Sequence, residues 1–426
     1  MRYSSASVIV CATMLFSSAW ARPVNVMDSG RIGDVVDTTT FYSRNADFLE
    51  LDQHIQNALR KALQGGAPQL TRSQLEKVKQ SDTLADWQWL KQSGYDFHVK
   101  QNQQAGIELL QDFSSLSPAV LARNLAIVTQ INRDATQGQR QQALVDAEGQ
   151  SYLFFLADAL GPRLGKAFLA AYQNGEIDKA AALIKKTEIS TGAAKDHFNY
   201  PRPFLRPGNQ IHLVPDDMVV QDNKPYGATG GSFPSGHTNT GYTDALLMGE
   251  MIPERFLPLV DRGARYGYSR IILGVHYPLD IIGSRMVAER NVAHFLNDPK
   301  YRVLFDEAKQ QLRAALAKEC GEPLAECAKN QGAADPYFGK GLTVFYRYTM
   351  TYGLPADKNA KARPVKVPEG AEILLAAPLP RMTVAQRRAL MAKTAIPNGY
   401  PLSAGTGEQN FWQRLDLHDA MLNGMR

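Results

Sequence analysis

The sequence has few cysteines and, beyond its first residues, no long apolar segment. Three cysteines occur among 426 residues, which excludes a framework of many disulfides. A membrane-spanning helix needs about eighteen consecutive apolar residues, and even the apolar run from Tyr152 to Ala157 ends at Asp158. These absences argue against a disulfide-rich miniprotein and against a multi-spanning membrane protein.

The chain also lacks concentrated charge. Its formal net charge is +5, and no run of five or six basic residues occurs. Proteins that bind nucleic acid concentrate lysine and arginine in tracts or patches, so we expect no nucleic-acid partner. The composition, 44% hydrophobic and 21% charged, is typical of a folded globular protein.

The first residues have the pattern of a secretory signal peptide. Arg2 precedes an apolar stretch from about Ala6 to Phe16, and Ala19-Trp20-Ala21 provides small residues for cleavage before Arg22. We expect residues 1–21 to be removed and the protein to be periplasmic or secreted, without stable membrane insertion. The alternative is that this segment stays as a membrane anchor.

Two cysteines, Cys320 and Cys327, remain after the signal peptide, which contains Cys11. An even pair in an exported chain predicts a disulfide, which would contribute about 2–3 kcal/mol by closing a short loop. A zinc site would need two more ligands, and none lies beside this pair.

The remaining chain reads as mostly helical. After a loose arm at 22–46, we predict a helical domain at 47–329, in which prolines begin helices at Pro253, Pro278 and Pro299. A long loop from Pro203 to Gly231 separates two groups of helices. Gly161-Pro162 is predicted to end a helix that begins near Gln150. Residues 330–426 are predicted to form a mixed extension, with a strand at 371–377 and a helix after Thr383.

The stretch Pro234-Ser235-Gly236-His237 precedes a helix-prone segment from about Thr238 to Glu250. A helix N-terminus presents unpaired N–H groups and a partial positive charge. The amides near Ser235, Gly236 and His237 therefore predict a site for an anion such as phosphate. By itself this pattern more commonly indicates a simple helix cap.

Two further groups of residues strengthen the prediction. Upstream, six residues separate Lys195 from Arg202-Pro203; downstream, Ser269-Arg270 is followed by His276 and then, four residues later, by Asp280. In this order the three groups resemble the signature of the phosphatidic acid phosphatase type 2 superfamily. The sequences from Lys195 to Phe204 and from Gly231 to Thr238 are similar to those of secreted bacterial class A non-specific acid phosphatases. The resemblance implies an all-α helical bundle of the type shared with vanadium haloperoxidases.

The chemistry of these residues suits phosphoryl transfer. Lys195, Arg202 and Arg270 can neutralise a phosphate dianion, and the Ser235 hydroxyl and the Gly236 amide can add hydrogen bonds. His276 is the candidate nucleophile, because neutral histidine can form a covalent phosphoryl intermediate.

Two more side chains complete the predicted machinery. Asp280, four residues after His276, can bind its Nδ1–H and orient the ring, as the third member of a catalytic triad does. His237 is the candidate general acid for the leaving alkoxide and then the base for water. His197 and His212 flank the cleft in sequence, but a solvated or packed role is the simpler expectation.

We therefore predict an exported acid phosphatase that hydrolyses small phosphomonoesters through a phosphohistidine without a metal or other cofactor. Three alternatives stay open. They are a vanadium-dependent haloperoxidase that uses the same oxyanion cradle, a non-enzymatic phosphate-binding module, and an iron enzyme that binds metal through His237, His276 and Asp280. The sequence leaves the physiological substrate and the oligomeric state undetermined.

Overall fold

The computed structural model describes residues 84–148, 153–212, 220–221, 224–225, 230–332, 335, 337, 339, 341–403, 405 and 407–425. The predicted signal peptide, the arm at 22–46 and the first helices of the predicted domain up to residue 83 lie outside the described residues. Within these ranges the α-helices, in chain order, are α1 Trp87–Gln92, α2 Val99–Leu109, α3 Pro118–Asp134, α4 Gln137–Glu148, α5 Pro162–Gln173, α6 Asp178–Thr187, α7 Gly192–Phe198, α8 Gly236–Met251, α9 Phe256–Ile272, α10 Pro278–Asn297, α11 Pro299–Cys320, α12 Leu324–Cys327, α13 Gly341–Thr349, α14 Val384–Thr394, α15 Glu408–Arg414 and α16 Leu417–Gly424.

Short elements connect these helices. The 3-10 helices are Gln111–Ser115, Phe154–Leu156, Asp158–Leu160, Pro203–Leu205, Pro253–Arg255 and Ala371–Leu375, and two two-residue strands, β1 Val220–Gln221 and β2 Lys224–Pro225, pair antiparallel in the long loop. The architecture is all-α, which confirms the predicted fold class.

Helix starts follow the local signals in the sequence. Pro118, Pro278 and Pro299 each occupy the first turn of a helix, where a proline costs no hydrogen bond. Thr383 caps α14, and its side chain accepts from the N–H of Gln386 at 3.3 Å. The predicted helices after Pro253, Pro278 and Pro299 and after Thr383 are all present.

The helices α8, α9 and α10 form the centre of the bundle, with α8 packed against both of the others. Their crossing is close because glycines occupy the contact. A Cβ atom at Gly267 would lie 2.8 Å from Ile281 Cγ2 and 3.0 Å from Thr238 Cγ2, and real Cβ atoms do not approach this closely. This packing brings the N-terminus of α8 next to the connection between α9 and α10.

The C-terminal region packs on the same core. The helices α13 and α16 contact α9, and α15 contacts α10. Buried Arg285 of α10 donates through Nη1 to the carbonyls of Trp412 and Leu415, each at 3.2 Å, and through Nη2 to that of Gln413 at 2.8 Å. The proposed domain boundary near residue 330 stays a prediction, but the segment beyond it is anchored to the bundle.

Two local predictions were wrong. The predicted strand at 371–377 is instead a 3-10 helix, Ala371–Leu375, which follows Gly370 in the left-handed conformation (φ 86°). Gly161-Pro162 does not end an α-helix that begins near Gln150. Residues 149–152 lie outside the described ranges, the segment before Gly161 forms two 3-10 turns, and Pro162 begins α5.

The position of the two cysteines supports the predicted disulfide. The Sγ atoms of Cys320 and Cys327 lie 2.12 Å apart, at bonding distance, where α11 ends and α12 follows. Among the helices of the described residues, none has both the length and the apolar character that a membrane span requires.

Candidate active site

The three groups of signature residues meet at one end of the bundle. Lys195 lies on α7, Arg202 in the extended link after it, Arg270 near the end of α9, and His276 between α9 and α10. Gly231 joins the first group to the second, because its Cβ, if present, would lie 2.8 Å from the carbonyl oxygen of Lys195. The fold thus brings together residues that are up to 85 positions apart in sequence.

His276 and Asp280 form a buried pair. Nδ1 of His276 lies 2.9 Å from Oδ2 of Asp280, and the two side chains are 1% and 0% exposed. The same oxygen accepts the N–H of Tyr277 at 2.9 Å and the hydroxyl of Ser232. Ser232 was not among the predicted site residues, since nothing in its spacing links it to Asp280.

The contacts of His276 fix its tautomer. Its Nε2 lies 3.1 Å from Nη1 of Arg202, which also donates to the carbonyl of Val275 at 3.0 Å. A guanidinium can only donate, so Nε2 accepts and carries no proton. The proton of the neutral ring is therefore on Nδ1, where Asp280 accepts it, and the Nε2 lone pair points towards the cations.

Electrostatics favours the neutral form of His276. Burial lowers its pKa well below the usual value, and the charges of Arg202, Lys195 and Arg270 lower it further, with His237 also contributing. Of these four groups, Arg202 lies within hydrogen-bond distance of the ring, 3.1 Å from Nε2. Burial raises the pKa of Asp280, while hydrogen bonds from Ser232 and from the Tyr277 N–H oppose that rise.

The pKa of Lys195 is lowered by its surroundings in the site. Burial lowers its pKa to about 8; the charges of Arg202 and Arg270 add to the lowering, and that of Asp280 opposes it. Mutual repulsion among three cations is unfavourable when the site holds no counter-ion. The arrangement is therefore electrostatically complementary to a multiply charged anion.

His237 is half-buried at the first turn of α8. Its Nε2 lies 3.2 Å from the carbonyl oxygen of Ala147, at the end of α4. A carbonyl can only accept, so Nε2 carries a proton and Nδ1 is the ring atom that can gain or lose one. The ring also lies parallel to that of Tyr266, with centroids 6.5 Å apart.

The N-terminus of α8 is capped by Ser235. Its buried hydroxyl oxygen accepts from the N–H of Thr238 at 3.3 Å and from the Thr238 hydroxyl at 2.9 Å, which leaves the proton of Ser235 to be donated elsewhere. The amide of Ser235 donates to the carbonyl of Asp280 at 3.2 Å. The expectation that this amide faces an anion was therefore wrong, whereas the hydroxyl keeps a donor.

A buried ionic network lies behind the signature residues. Ser269, next to Arg270, donates its hydroxyl to Asp146 at 2.5 Å, and Arg262 binds the other oxygen of Asp146, also at 2.5 Å. Asp146 was missed because it lies on α4, far from the signature in sequence. Its only sequence signal is a carboxylate on a helix that becomes buried.

The remaining histidines of the cleft prediction lie at the surface. His197 is exposed and its ring contacts Phe198 edge-on, with centroids 4.8 Å apart. His212 is exposed, and its backbone N–H donates to Asn132 at 2.7 Å. In the described part of the chain, no group of three or more His, Cys, Asp or Glu side chains is arranged to hold a metal ion.

Comparison with known proteins agrees with the geometry. Residues 180–303 match the model of the PAP2 superfamily. The non-specific acid phosphatase of Providencia stuartii is 29% identical over 164 residues, which are 36% of this chain and 63% of the relative. The acid phosphatase of Zymomonas mobilis is 32% identical over 144 residues, and the non-specific acid phosphatase of Salmonella typhimurium 30% over 123.

The matched stretches are partial. They cover 33% of this chain and 52% of the Zymomonas protein, and 29% of this chain and 46% of the Salmonella protein. The chain therefore spans about half to under two thirds of the length of these relatives. The family match includes every signature residue from Lys195 to Asp280. The part of the chain that carries the candidate active site, residues 180–303, is therefore similar to the PAP2 superfamily.

Proposed function

We propose that this protein is a phosphomonoesterase of the acid phosphatase type, which works through a phosphohistidine at His276. One observation carries the proposal. The unprotonated Nε2 of a buried histidine faces Arg202 at 3.1 Å while its Nδ1–H is held by Asp280 at 2.9 Å. A lone pair directed into a cationic cradle is what nucleophilic attack on a phosphate requires.

In the first step, the Nε2 lone pair of His276 attacks phosphorus and the P–O bond of the ester breaks. The positive charge that develops on the ring is stabilised by Asp280, and the charge on the phosphoryl oxygens by Lys195, Arg202 and Arg270. Protonated His237 donates from Nδ1 to the leaving alkoxide, so an alcohol departs. The Ser235 hydroxyl and the Gly236 amide add hydrogen bonds to the phosphoryl group.

In the second step, now-neutral His237 accepts a proton from water through Nδ1. The resulting hydroxide attacks phosphorus, the P–N bond breaks, and His276 regains its lone pair while inorganic phosphate leaves. His237 is protonated again and the cycle closes. No oxidant, reductant or further group is consumed.

We also propose that the reaction needs no metal ion. The groups surrounding His276 include Lys195, Arg202 and Arg270, and three positive charges repel a divalent cation. These side chains supply the charge neutralisation that metal ions provide in many other phosphoryl-transfer sites.

The test is rapid quenching of the mature protein during turnover of p-nitrophenyl phosphate, followed by detection of an acid-labile phosphoryl group. We expect the label on His276 and its absence in His276→Ala. Activity should survive EDTA and be blocked by vanadate, which mimics five-coordinate phosphorus in the cradle. Loss of turnover on chelation, or a quenched parent protein without label, would contradict the mechanism.

The same assay distinguishes the alternatives. Bromide oxidation by hydrogen peroxide in the presence of vanadate would favour the haloperoxidase, and phosphate binding without turnover would favour a binding module. Export is a further part of the proposal, supported by the cysteine pair at bonding distance and by the occurrence of disulfides in oxidising compartments. Recovery of the active protein in the cytosol alone would contradict it.

A further inference from the structure

The buried carboxylate of Asp146 is linked to two parts of the candidate site. It binds Ser269, the residue before Arg270, and the next residue in the chain, Ala147, contacts His237. Asp146 accepts from Ser269 at 2.5 Å through Oδ2 and from Nη2 of Arg262 at 2.5 Å through Oδ1. It is 3% exposed, and Ser269 is also 3% exposed. The carboxylate thus ties α4 to α9 at the position directly before Arg270.

The residue after Asp146 makes the contact that defines His237. The carbonyl oxygen of Ala147 lies 3.2 Å from Nε2 of His237. This bond keeps a proton on Nε2, so Nδ1 is the ring nitrogen that exchanges a proton in the proposed mechanism. A shift of the end of α4 would move this carbonyl and change the tautomer or the direction of the ring.

Asp146 is held in its ionised form by its surroundings. Burial raises its pKa, but the charges of Arg262 and Arg265 outweigh burial and keep the pKa below its usual range. The carboxylate is therefore an acceptor only, and the Ser269 hydroxyl must donate to it.

We propose that Asp146, through its bond with Ser269, is the positioning residue for the general acid His237. The Ser269–Asp146 bond fixes the end of α4 against α9, and the Ala147 carbonyl then holds the ring of His237 through Nε2, which assigns proton donation to Nδ1. Ser269 therefore contributes to proton transfer without contacting the substrate. This inference rests on the proposed function, because it assumes that His237 protonates the leaving group.

The test compares two substrates that differ in their need for an acid. A phosphate ester of an alkyl alcohol, such as glycerol 2-phosphate, leaves as a strongly basic alkoxide, whereas p-nitrophenolate needs little protonation. The measured quantity is kcat/KM, which includes binding and phosphorylation but not the later hydrolysis of the phosphohistidine. A general acid typically accelerates such a reaction about 10²- to 10⁴-fold. A general acid that is held in the wrong position should lose part of this acceleration.

For Ser269→Ala we expect kcat/KM to fall at least about tenfold more with glycerol 2-phosphate than with p-nitrophenyl phosphate, a part of the acid's contribution. The loss should appear mainly in kcat. Asp146→Asn should move the ratio of the two substrates in the same direction and serves as the second variant if Ser269→Ala does not fold. Ser403→Ala, which removes another buried hydroxyl bonded to backbone, is the control and should leave both substrates unchanged.

The outcomes separate this inference from the function on which it rests. His237→Ala is measured alongside: an equal loss on both substrates would remove the acid role of His237 and this inference with it. If His237→Ala discriminates between the substrates but folded Ser269→Ala and Asp146→Asn lose activity equally on both, the acid role stands. In that case Asp146 and Ser269 support only the fold or Arg270, and the positioning role is refuted.

Discussion

Arg202 offers the sharpest test of the cradle, because one of its nitrogens bridges two groups of the site. Nη1 lies 3.1 Å from Nε2 of His276 and 3.0 Å from the carbonyl of Val275, which fixes the guanidinium before a substrate arrives. Deleting one such preorganised donor costs about 2–4 kcal/mol of transition-state stabilisation. Arg202→Ala should therefore lower kcat/KM about 30- to 900-fold.

The same change should shift the pH dependence. After burial, the charge of Arg202 is the largest contribution that lowers the pKa of His276, so its removal raises that pKa. Imidazolium cannot attack phosphorus, and the acidic limb of kcat/KM should move to higher pH. Arg202→Lys restores a positive charge but not the planar guanidinium fork. The acidic limb of the pH profile should therefore return towards its position in the parent protein, while kcat/KM stays at least about tenfold below the parent value.

The assay is kcat/KM for p-nitrophenyl phosphate across pH 4–9, with folding checked by circular dichroism. Arg313→Ala is a matched control, since Arg313 also donates to a backbone carbonyl, that of Met251 at 3.1 Å, and pairs with Glu254 on α9's N-terminal side. It should leave kcat/KM unchanged. A loss of less than about fivefold in folded Arg202→Ala would remove Arg202 from the cradle, and an unmoved acidic limb would refute its effect on His276.

Three other predictions follow from the geometry. The pKa of Lys195, about 8 in the free protein, should make kcat/KM fall as pH rises through that value; Lys195→Arg should move this fall upward, and an unchanged fall would assign it to another group such as His237. Gly231→Ala should destabilise the protein by about 1–3 kcal/mol, measured by urea unfolding, because its Cβ would lie 2.8 Å from the Lys195 carbonyl; wild-type stability would contradict this contact. Non-reducing mass spectrometry should find Cys320 and Cys327 bridged, and replacing both by serine should lower the free energy of unfolding by about 2–3 kcal/mol; two free thiols in protein isolated from the periplasm would refute the pairing.

The helix starts at the candidate site and the pairing of His276 with Asp280 could be predicted from the sequence, because their signals are local. Helix starts at Ser235 and Pro278 follow from capping and proline rules, and the four-residue spacing of His276 and Asp280 brings their side chains within 2.9 Å at the start of α10. The contacts that sequence could not supply are long-range. Ser232 reaches Asp280, and Asp146 reaches Ser269, only because separate helices pack together.

The two secondary-structure predictions that were wrong, at 371–377 and at Gly161-Pro162, have a similar cause. Residues 371–377 form a short run that is apolar except for Glu372, and a run of this kind fits a strand as well as a buried helical turn. The left-handed Gly370, whose position is set by packing near Asn297, starts a 3-10 helix instead. At Gly161-Pro162 the same two residues can end one helix or begin the next, and here Pro162 occupies the first turn of α5.

The anchoring of the C-terminal region on Arg285 limits how the chain can be shortened. Arg285 also pairs with Glu289 at 3.0 Å, and both side chains are almost completely buried. A fragment that ends near residue 330 would leave this guanidinium without three carbonyl partners, on the helix whose first turn carries Asp280. Loss of the last hundred residues would thus affect Asp280, the proposed partner of His276, through α10. A protease that cuts between 355 and 369 should yield two pieces that stay together until denaturant is added.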